Sequence, residues 1–278
     1  MKSMEDRQQI KNAVMGLAIS DALGVPYEFE ERGSFTCTDM TGFGSHDQPA
    51  GTWSDDTSMT IATAKSLRDN EGRVVLDDIH NNFMLWLNEA AFTANGVVFD
   101  VGHATLKALM TGEPRMGEYE NGNGSLMRII PLAFTNCTDD EVRAVSAITH
   151  GHWISTEGCV IYVNIAKRLV CGDRLEDILR EMEFKEPYNR LSALAELKEG
   201  DIKSSGYVVD TLEAALWSLL HSNSYEEAVL KAINLGEDTD TVGAVTGGLA
   251  GIIYGLDSEI CQKWYGELRG KEIILECI

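Results

Sequence analysis

Residues 236–255 read GEDTDTVGAVTGGLAGIIYG. An apolar, glycine-rich run follows a row of four oxygen-bearing side chains, Asp238, Thr239, Asp240 and Thr241. The pattern predicts a helix over 239–255 whose first turn is acidic, where carboxylates also complement the helix dipole. Taken alone, the acidic row is equally a solvated turn or a helix cap.

The same reading holds along most of the chain. Residues 6–24 place Ile10, Ala13, Val14, Leu17 and Ala18 at helical steps, and 77–91 place Ile79, Phe83, Leu87 and Ala90 on one face behind an Asp77–Asp78 pair expected to cap. Thr138 followed by Glu141 reads as a capping box. Further helices are predicted at 155–171, 174–184, 190–199, 208–221, 224–235 and 257–268. Strand-like alternation is scarce. The expected fold is all-α, a compact single-domain orthogonal bundle of ten or more helices over 1–278, since no Gly/Ser- or Pro-rich linker divides the chain.

Composition narrows the function classes. Lys and Arg number 23 against 44 Asp and Glu, a formal net charge of −21 over 278 residues. Such a surface repels nucleic-acid backbones and anionic membranes. No apolar run approaches the roughly 20 residues that span a bilayer, and no secretory signal is evident, so a cytoplasmic protein is expected. The six cysteines lack CxxC spacing, which argues against soft zinc sites and redox dithiols and for free thiols.

A second acidic cluster, Ser54-Asp55-Asp56-Thr57, precedes another apolar helical run. Carboxylate and hydroxyl oxygens without thiolate or imidazole favour hard cations such as Mg²⁺, Mn²⁺ or Ca²⁺. Four aspartates at two helix starts suit a pair of metals about 3.5–4 Å apart, provided the two clusters meet in space. Glu28, flanked by aromatics, is a candidate acid/base or metal-linked carboxylate, or the start of an acidic EFEE surface run. Gly122, Asn123, Gly124 and Ser125 read as a loop bringing backbone N–H groups to a phosphate at a helix start, or as a plain turn. They match neither the P-loop nor the dinucleotide fingerprint. His150 and His152 suit phosphate or ribose contact, but i, i+2 spacing keeps them off one helical face.

Five motifs in this order, SDALGVPYEF at 20–29, GTWSDDTSM at 51–59, NGNGSLMR at 121–128, TH at 149–150 and GEDTDTVGAVTGGLAGIIYG at 236–255, resemble the ADP-ribosylglycohydrolase family. The resemblance implies an enzyme that hydrolyses the N- or O-glycosidic bond between ADP-ribose and an acceptor: a protein arginine or serine, or a small conjugate. It implies two divalent cations, Mg²⁺ or Mn²⁺, on Ser54, Asp55, Asp56, Asp238, Asp240 and Thr241, with Glu28 assisting attack by water. It also implies that Gly122, Asn123, Gly124 and Ser125 cradle the diphosphate, that His150 touches ADP-ribose, and that Asp100 sits on the substrate or leaving-group side. Departures from the family pattern are Ser20 before DALG, Glu237 within the GGDTDT motif, and Ser54 for threonine; none removes a ligand oxygen. The alternatives are a non-catalytic ADP-ribose binder or crystallin-like protein of the same fold, and a hydrolase of another nucleotide phosphoester.

Overall fold

The computed structural model describes residues 4–278, with side chains from Arg7 onward. Two helices dominate its middle. Helix α1 (Met4–Gly24) lies along α10 (Thr239–Tyr254), buried on nearly all sides. Their contact is unusually close because it is built from glycines. A Cβ on Gly16 would meet the Gly247 carbonyl at 2.5 Å, and one on Gly247 would meet the Gly16 carbonyl at 2.5 Å. Helix-interior glycine costs stability relative to alanine, so these residues are explained by the approach they allow.

Around this pair pack α2 (Asp55–Asp69), α3 (Leu76–Glu89), α4 (His103–Thr111), α5 (Asp139–Ser146), α6 (Trp153–Val170), α7 (Leu175–Glu181), α8 (Val208–Leu220), α9 (Tyr225–Ile233), α11 (Glu259–Glu267) and α12 (Lys271–Cys277). Among the described residues there is no strand, only three isolated bridges. The all-α expectation therefore holds. One contiguous apolar cluster runs from Ala13 on α1 to Cys277 on α12. Five of the six cysteines are buried and all are free. Among the described residues no helix is long and apolar enough to cross a membrane.

Local chemistry explains the helix ends. Thr138 and Glu141 form the expected capping box at α5. Asp77 and Asp78, by contrast, do not cap α3. Val75 occupies the cap position without a side-chain bond, and Asp78 instead accepts from Ser66 Oγ and Asn70 Nδ2. The segment expected as a helix over 190–199 is a 3₁₀ run, Asn189–Glu196. Helices α4 and α12 were not anticipated; each spans nine residues or fewer, too short to show a clear period.

The α1–α10 seam makes a direct prediction. Gly247→Val should lower the unfolding free energy by about 1–3 kcal/mol through overpacking. Gly200→Ala, where an added Cβ meets nothing within 4 Å, should stay within ~0.5 kcal/mol. Urea unfolding of the two variants measures both.

Candidate active site

The two acidic clusters meet. Helix α2 begins beside the start of α10, and Thr241 Oγ1 lies 3.4 Å from Asp56 Oδ2 across 185 residues of sequence. Ser54 caps α2 by accepting from the Asp56 amide, and its hydroxyl donates to Asp56 Oδ2 at 2.9 Å. Asp238 occupies the cap position of α10 yet makes no capping bond with its side chain. For Asp238 the helix-cap reading therefore fails. Its Oδ2 accepts from Asn123 Nδ2 at 2.8 Å.

Three buried carboxylate oxygens have no hydrogen-bond partner: Asp56 Oδ1, Asp238 Oδ1 and Asp240 Oδ2. Buried polar atoms are rarely left so, and these belong to three of the expected metal ligands. The donor set of carboxylates and hydroxyls suits hard divalent cations. The residues present thus fit the expected metal group, and oxygens of Asp21, Asp56 and Asp240 lie within 4.8 Å of one another.

Electrostatics says the same. Asp55, Asp56 and Asp240 are pushed well above the usual carboxylate range, first by burial and then by neighbouring carboxylates. Asp238 is also raised, mainly by burial. Burial raises Asp21 to about 6 and Glu28 to about 7. Withdrawal from water is the main penalty on these carboxylates, and their mutual repulsion adds to it; a bound cation would offset both.

Asp21 and His46 belong to this centre and were missed by sequence reasoning. Asp21, on α1, accepts from the amides of Ser54 and Thr57 and from the Thr57 hydroxyl, tying α1 to the first turn of α2. Its signal was present, an aspartate inside a buried helix within SDALG. His46 Nε2 is hydrogen-bonded to Glu28 Oε2 and lies 3.9 Å from Asp100 Oδ1. The ring sits beside Phe29 and Phe99. No motif marks His46; a lone histidine in an irregular loop carries no spacing to read. Glu28, His46, Asp100 and Asp240 offer atoms within 4.8 Å of one another, so Glu28 is not part of a solvated EFEE face.

Two backbone segments hold Glu28 beside the acidic cluster. The Phe29 amide donates to the Glu237 carbonyl at 2.7 Å, and the Glu237 amide to the Glu30 carbonyl at 2.8 Å. Phe29 and Glu237 both adopt positive φ, 68° and 62°, a conformation uncommon for such residues and often found at functional sites. The Glu237 side chain is exposed and does not crowd the ligands. Gly24 lets the end of α1 reach α10, since a Cβ there would meet the Asp240 backbone at 2.5 Å.

The centre opens into a cavity of about 250 Å³ whose walls include Glu28, Asp55, Asp100, Asn123, His150 and Thr241. Gly122 and Gly206 also border a neighbouring groove of about 510 Å³ beside Tyr119 and Tyr207. A larger hollow of about 840 Å³, near Ile10 and Leu67, carries no carboxylate cluster. Gly122 and Gly124 line the cavity as expected, but residues 124–128 form consecutive turns rather than the start of a helix. The Asn123 amide is already used by the Gly206 carbonyl. Ser125 turns its hydroxyl into the protein, against Ser146 Oγ and Cys159 Sγ. His152 caps α6 and bonds to Asn121, whereas His150 reaches the cavity wall.

A nest of buried carboxylates beside a cavity, on an all-α frame, is a centre whose oxygens could hold hard cations. Comparison with known proteins gives the class its name. The family model for ADP-ribosylglycohydrolase matches residues 2–278. The ADP-ribosylarginine hydrolase Tri1 of Pseudomonas putida (strain GB-1) is 34% identical over 91% of this chain and 72% of its own. The ADP-ribosyl-[dinitrogen reductase] glycohydrolase of Rhodospirillum rubrum is 30% identical over 93% of this chain and 90% of its own. A solved ADP-ribosylglycohydrolase-related protein complex superimposes with a TM-score of 0.83 at 31% identity, covering 99% of this chain and 97% of that one. The chain belongs to the ADP-ribosylglycohydrolase family, hydrolases of the glycosidic bond between ADP-ribose and an acceptor.

The raised carboxylates make stability depend on pH with a definite sign. Their folded-state pKa values exceed the unfolded ones, so the metal-free fold is favoured at low pH. That advantage is lost as pH rises through about 6 and about 7 for Asp21 and Glu28. In EDTA, Tm should therefore fall as pH rises from about 4 to about 7. A divalent cation near 100 times its Kd should restore ~2.7 kcal/mol, more at pH 8 than at pH 6 because the ligands bind ionised. Asp240→Asn should raise Tm in EDTA and erase the cation-induced increment; thermal unfolding with and without metal tests both.

Proposed function

We propose that this chain removes ADP-ribose from the guanidinium of an arginine side chain, using two divalent cations, Mg²⁺ or Mn²⁺. Ser54, Asp55, Asp56, Asp238, Asp240 and Thr241 would hold them. The observation that carries the metal reading is the set of three orphaned buried oxygens on Asp56, Asp238 and Asp240. When bound, the cations supply the positive charge that orients the distal ribose through its hydroxyls. The rest falls to the protein.

Glu28, held by His46 and raised by burial, is suited to accept a proton from water as the water oxygen bonds to the anomeric carbon. The C1–N bond breaks and the proton passes to the leaving guanidine, which departs as a guanidinium. The surrounding carboxylates stabilise positive charge developing on the sugar. Gly122, Asn123, Gly124 and His150 line the path of the diphosphate, with Asn123 also steadying Asp238. Ser125 supports the loop from behind.

Arginine is favoured over serine by the acceptor side of the cavity. Asp100 faces His46, flanked by Phe99 and the largely exposed Phe29. Acid and aromatic faces together suit a planar cation, and no Lys or Arg lines the cavity. Two relatives are named for arginine linkages, which supports the same choice. We also read the chain as one domain acting in the cytoplasm on ADP-ribosylated protein, away from nucleic acid and membranes.

The test is ADP-ribose release from ADP-ribosyl-arginine and ADP-ribosyl-serine substrates with Mg²⁺, Mn²⁺ or EDTA. Release should be metal-dependent and confined to arginine. Glu28→Gln should lower kcat by roughly 10²–10⁴-fold while ADP-ribose still binds. Turnover undiminished in EDTA, or faster release from serine, would defeat the reading.

A further inference from the structure

Behind the cavity lies a charged side chain that the chemistry above does not use. Arg128 is fully buried, with its guanidinium carbon 4.7 Å from the centre of the Phe83 ring. Nη1 donates to the Gly124 carbonyl at 2.5 Å and Nη2 to Thr149 Oγ1 at 2.8 Å. Thr149 Oγ1 in turn lies 2.8 Å from His150 Nδ1. The other ring nitrogen, Nε2, lies 3.5 Å from where a Cβ on Gly124 would stand and 3.6 Å from one on Gly122. It therefore faces the glycine loop that walls the cavity.

Arg128 Nε has no partner, but the hydrogen bonds between Arg128 Nη2, Thr149 and His150 assign the tautomer. A guanidinium only donates, so Thr149 Oγ1 accepts from it. Thr149 is completely buried, and among the described residues its hydroxyl hydrogen has one acceptor within reach, His150 Nδ1. Placing the proton on Nδ1 instead would leave that hydrogen buried without a partner. The proton then sits on Nε2. Burial, reinforced by the nearby Arg128 charge, holds the imidazole down to about 3, so it stays neutral over the physiological range. Burial lowers the Arg128 guanidinium only to about 10, and the relay keeps its charge.

We propose that Arg128 is a positioning residue which, acting through Thr149, locks His150 as a neutral Nε2–H donor to the diphosphate of the ADP-ribosyl group. The named ligand rests on the function proposed above. The arrangement answers a physical difficulty of this site. A diphosphate must settle beside a nest of carboxylates, and the cavity wall has no Lys or Arg. An exposed arginine would pair with Glu28 or Asp100 and neutralise them. Placed behind Gly124, Arg128 adds positive potential without reaching the carboxylates, and exports one directed, uncharged donor.

The experiment combines tautomer and affinity. Long-range ¹H–¹⁵N NMR of the wild-type protein should show His150 protonated at Nε2 and bare at Nδ1. Thr149→Val removes the hydroxyl at nearly constant shape, while Thr149→Ser keeps it. Titration calorimetry with ADP-ribose and Mg²⁺ should show ~10-fold weaker binding for Thr149→Val, with KM raised and kcat changed far less. Thr149→Ser should bind like wild type. An Nδ1–H ring in the wild type, or equal affinity in wild type and Thr149→Val, overturns the relay. If Thr149→Val does not fold, the wild-type spectrum and the affinity of Arg128→Lys decide instead, with retained Nε2 protonation and full affinity in Arg128→Lys counting against the role of Arg128. Failure of wild-type protein to bind ADP-ribose overturns the functional reading and the named ligand together, whereas binding with the wrong tautomer overturns the relay alone.

Discussion

Carboxylates crowded together out of water repel one another and resist losing their hydration, yet Asp21, Asp55, Asp56 and Asp240 are all buried here within one small region. Everything around them serves to hold that arrangement. Asp21 ties the first turn of α2 to α1 through two amides and a hydroxyl. Gly24 lets α1 close onto the start of α10. The glycine seam between Gly16 and Gly247 brings the two helix axes close enough for these contacts to form. Apolar packing along α1 and α10 is the favourable term, and the concentrated charge is the unfavourable one it holds in place.

The opposing term also gives the site its chemistry. Burial raises Glu28 to about 7, where a carboxyl exchanges protons near neutrality. The same burial leaves three carboxylate oxygens without protein donors, a deficit suited to a cation. Around the rim, Phe29 and Glu237 hold uncommon backbone conformations and exchange backbone hydrogen bonds. Positive φ recurs at other non-glycine residues, Phe43, Asp47 and Asp100 among them, so the uncommon conformations are not confined to the two loops that present Glu28 and Asp238.

Polarity is divided between two faces of the cavity. On one side lie Glu28, Asp100 and the proposed metal-ligand carboxylates; on the other, the Gly122–Gly124 turn with His150 above and Arg128 behind. A ligand with hydroxyls at one end and phosphates at the other matches this division. Arg128 shares the interior with the acidic centre while its Nη1 and Nη2 donate to Gly124 and Thr149.

Much of this was legible in the chain itself. Helical periodicity predicted the all-α class, and the motifs holding Glu28, Asp55, Asp56, Asp238 and Asp240 marked the ligand candidates, because apolar spacing and oxygen-rich helix starts are local patterns. Short helices such as α4 and the 3₁₀ character of 189–196 escaped it, since nine residues or fewer show little period. The loop at 122–125 was recognised, but Ser125 facing inward and Asn123 bonding to Asp238 follow from neighbours 21 to 115 residues away. Asp21 and His46 joined the site for the same reason. Local sequence determined which residues carry ligand oxygens and which segments coil. Tertiary structure decided that the two acidic clusters meet, that Asp238 does not cap its helix, and which hydrogens Thr149 and His150 share, because burial and hydrogen-bond satisfaction depend on neighbours distant in sequence.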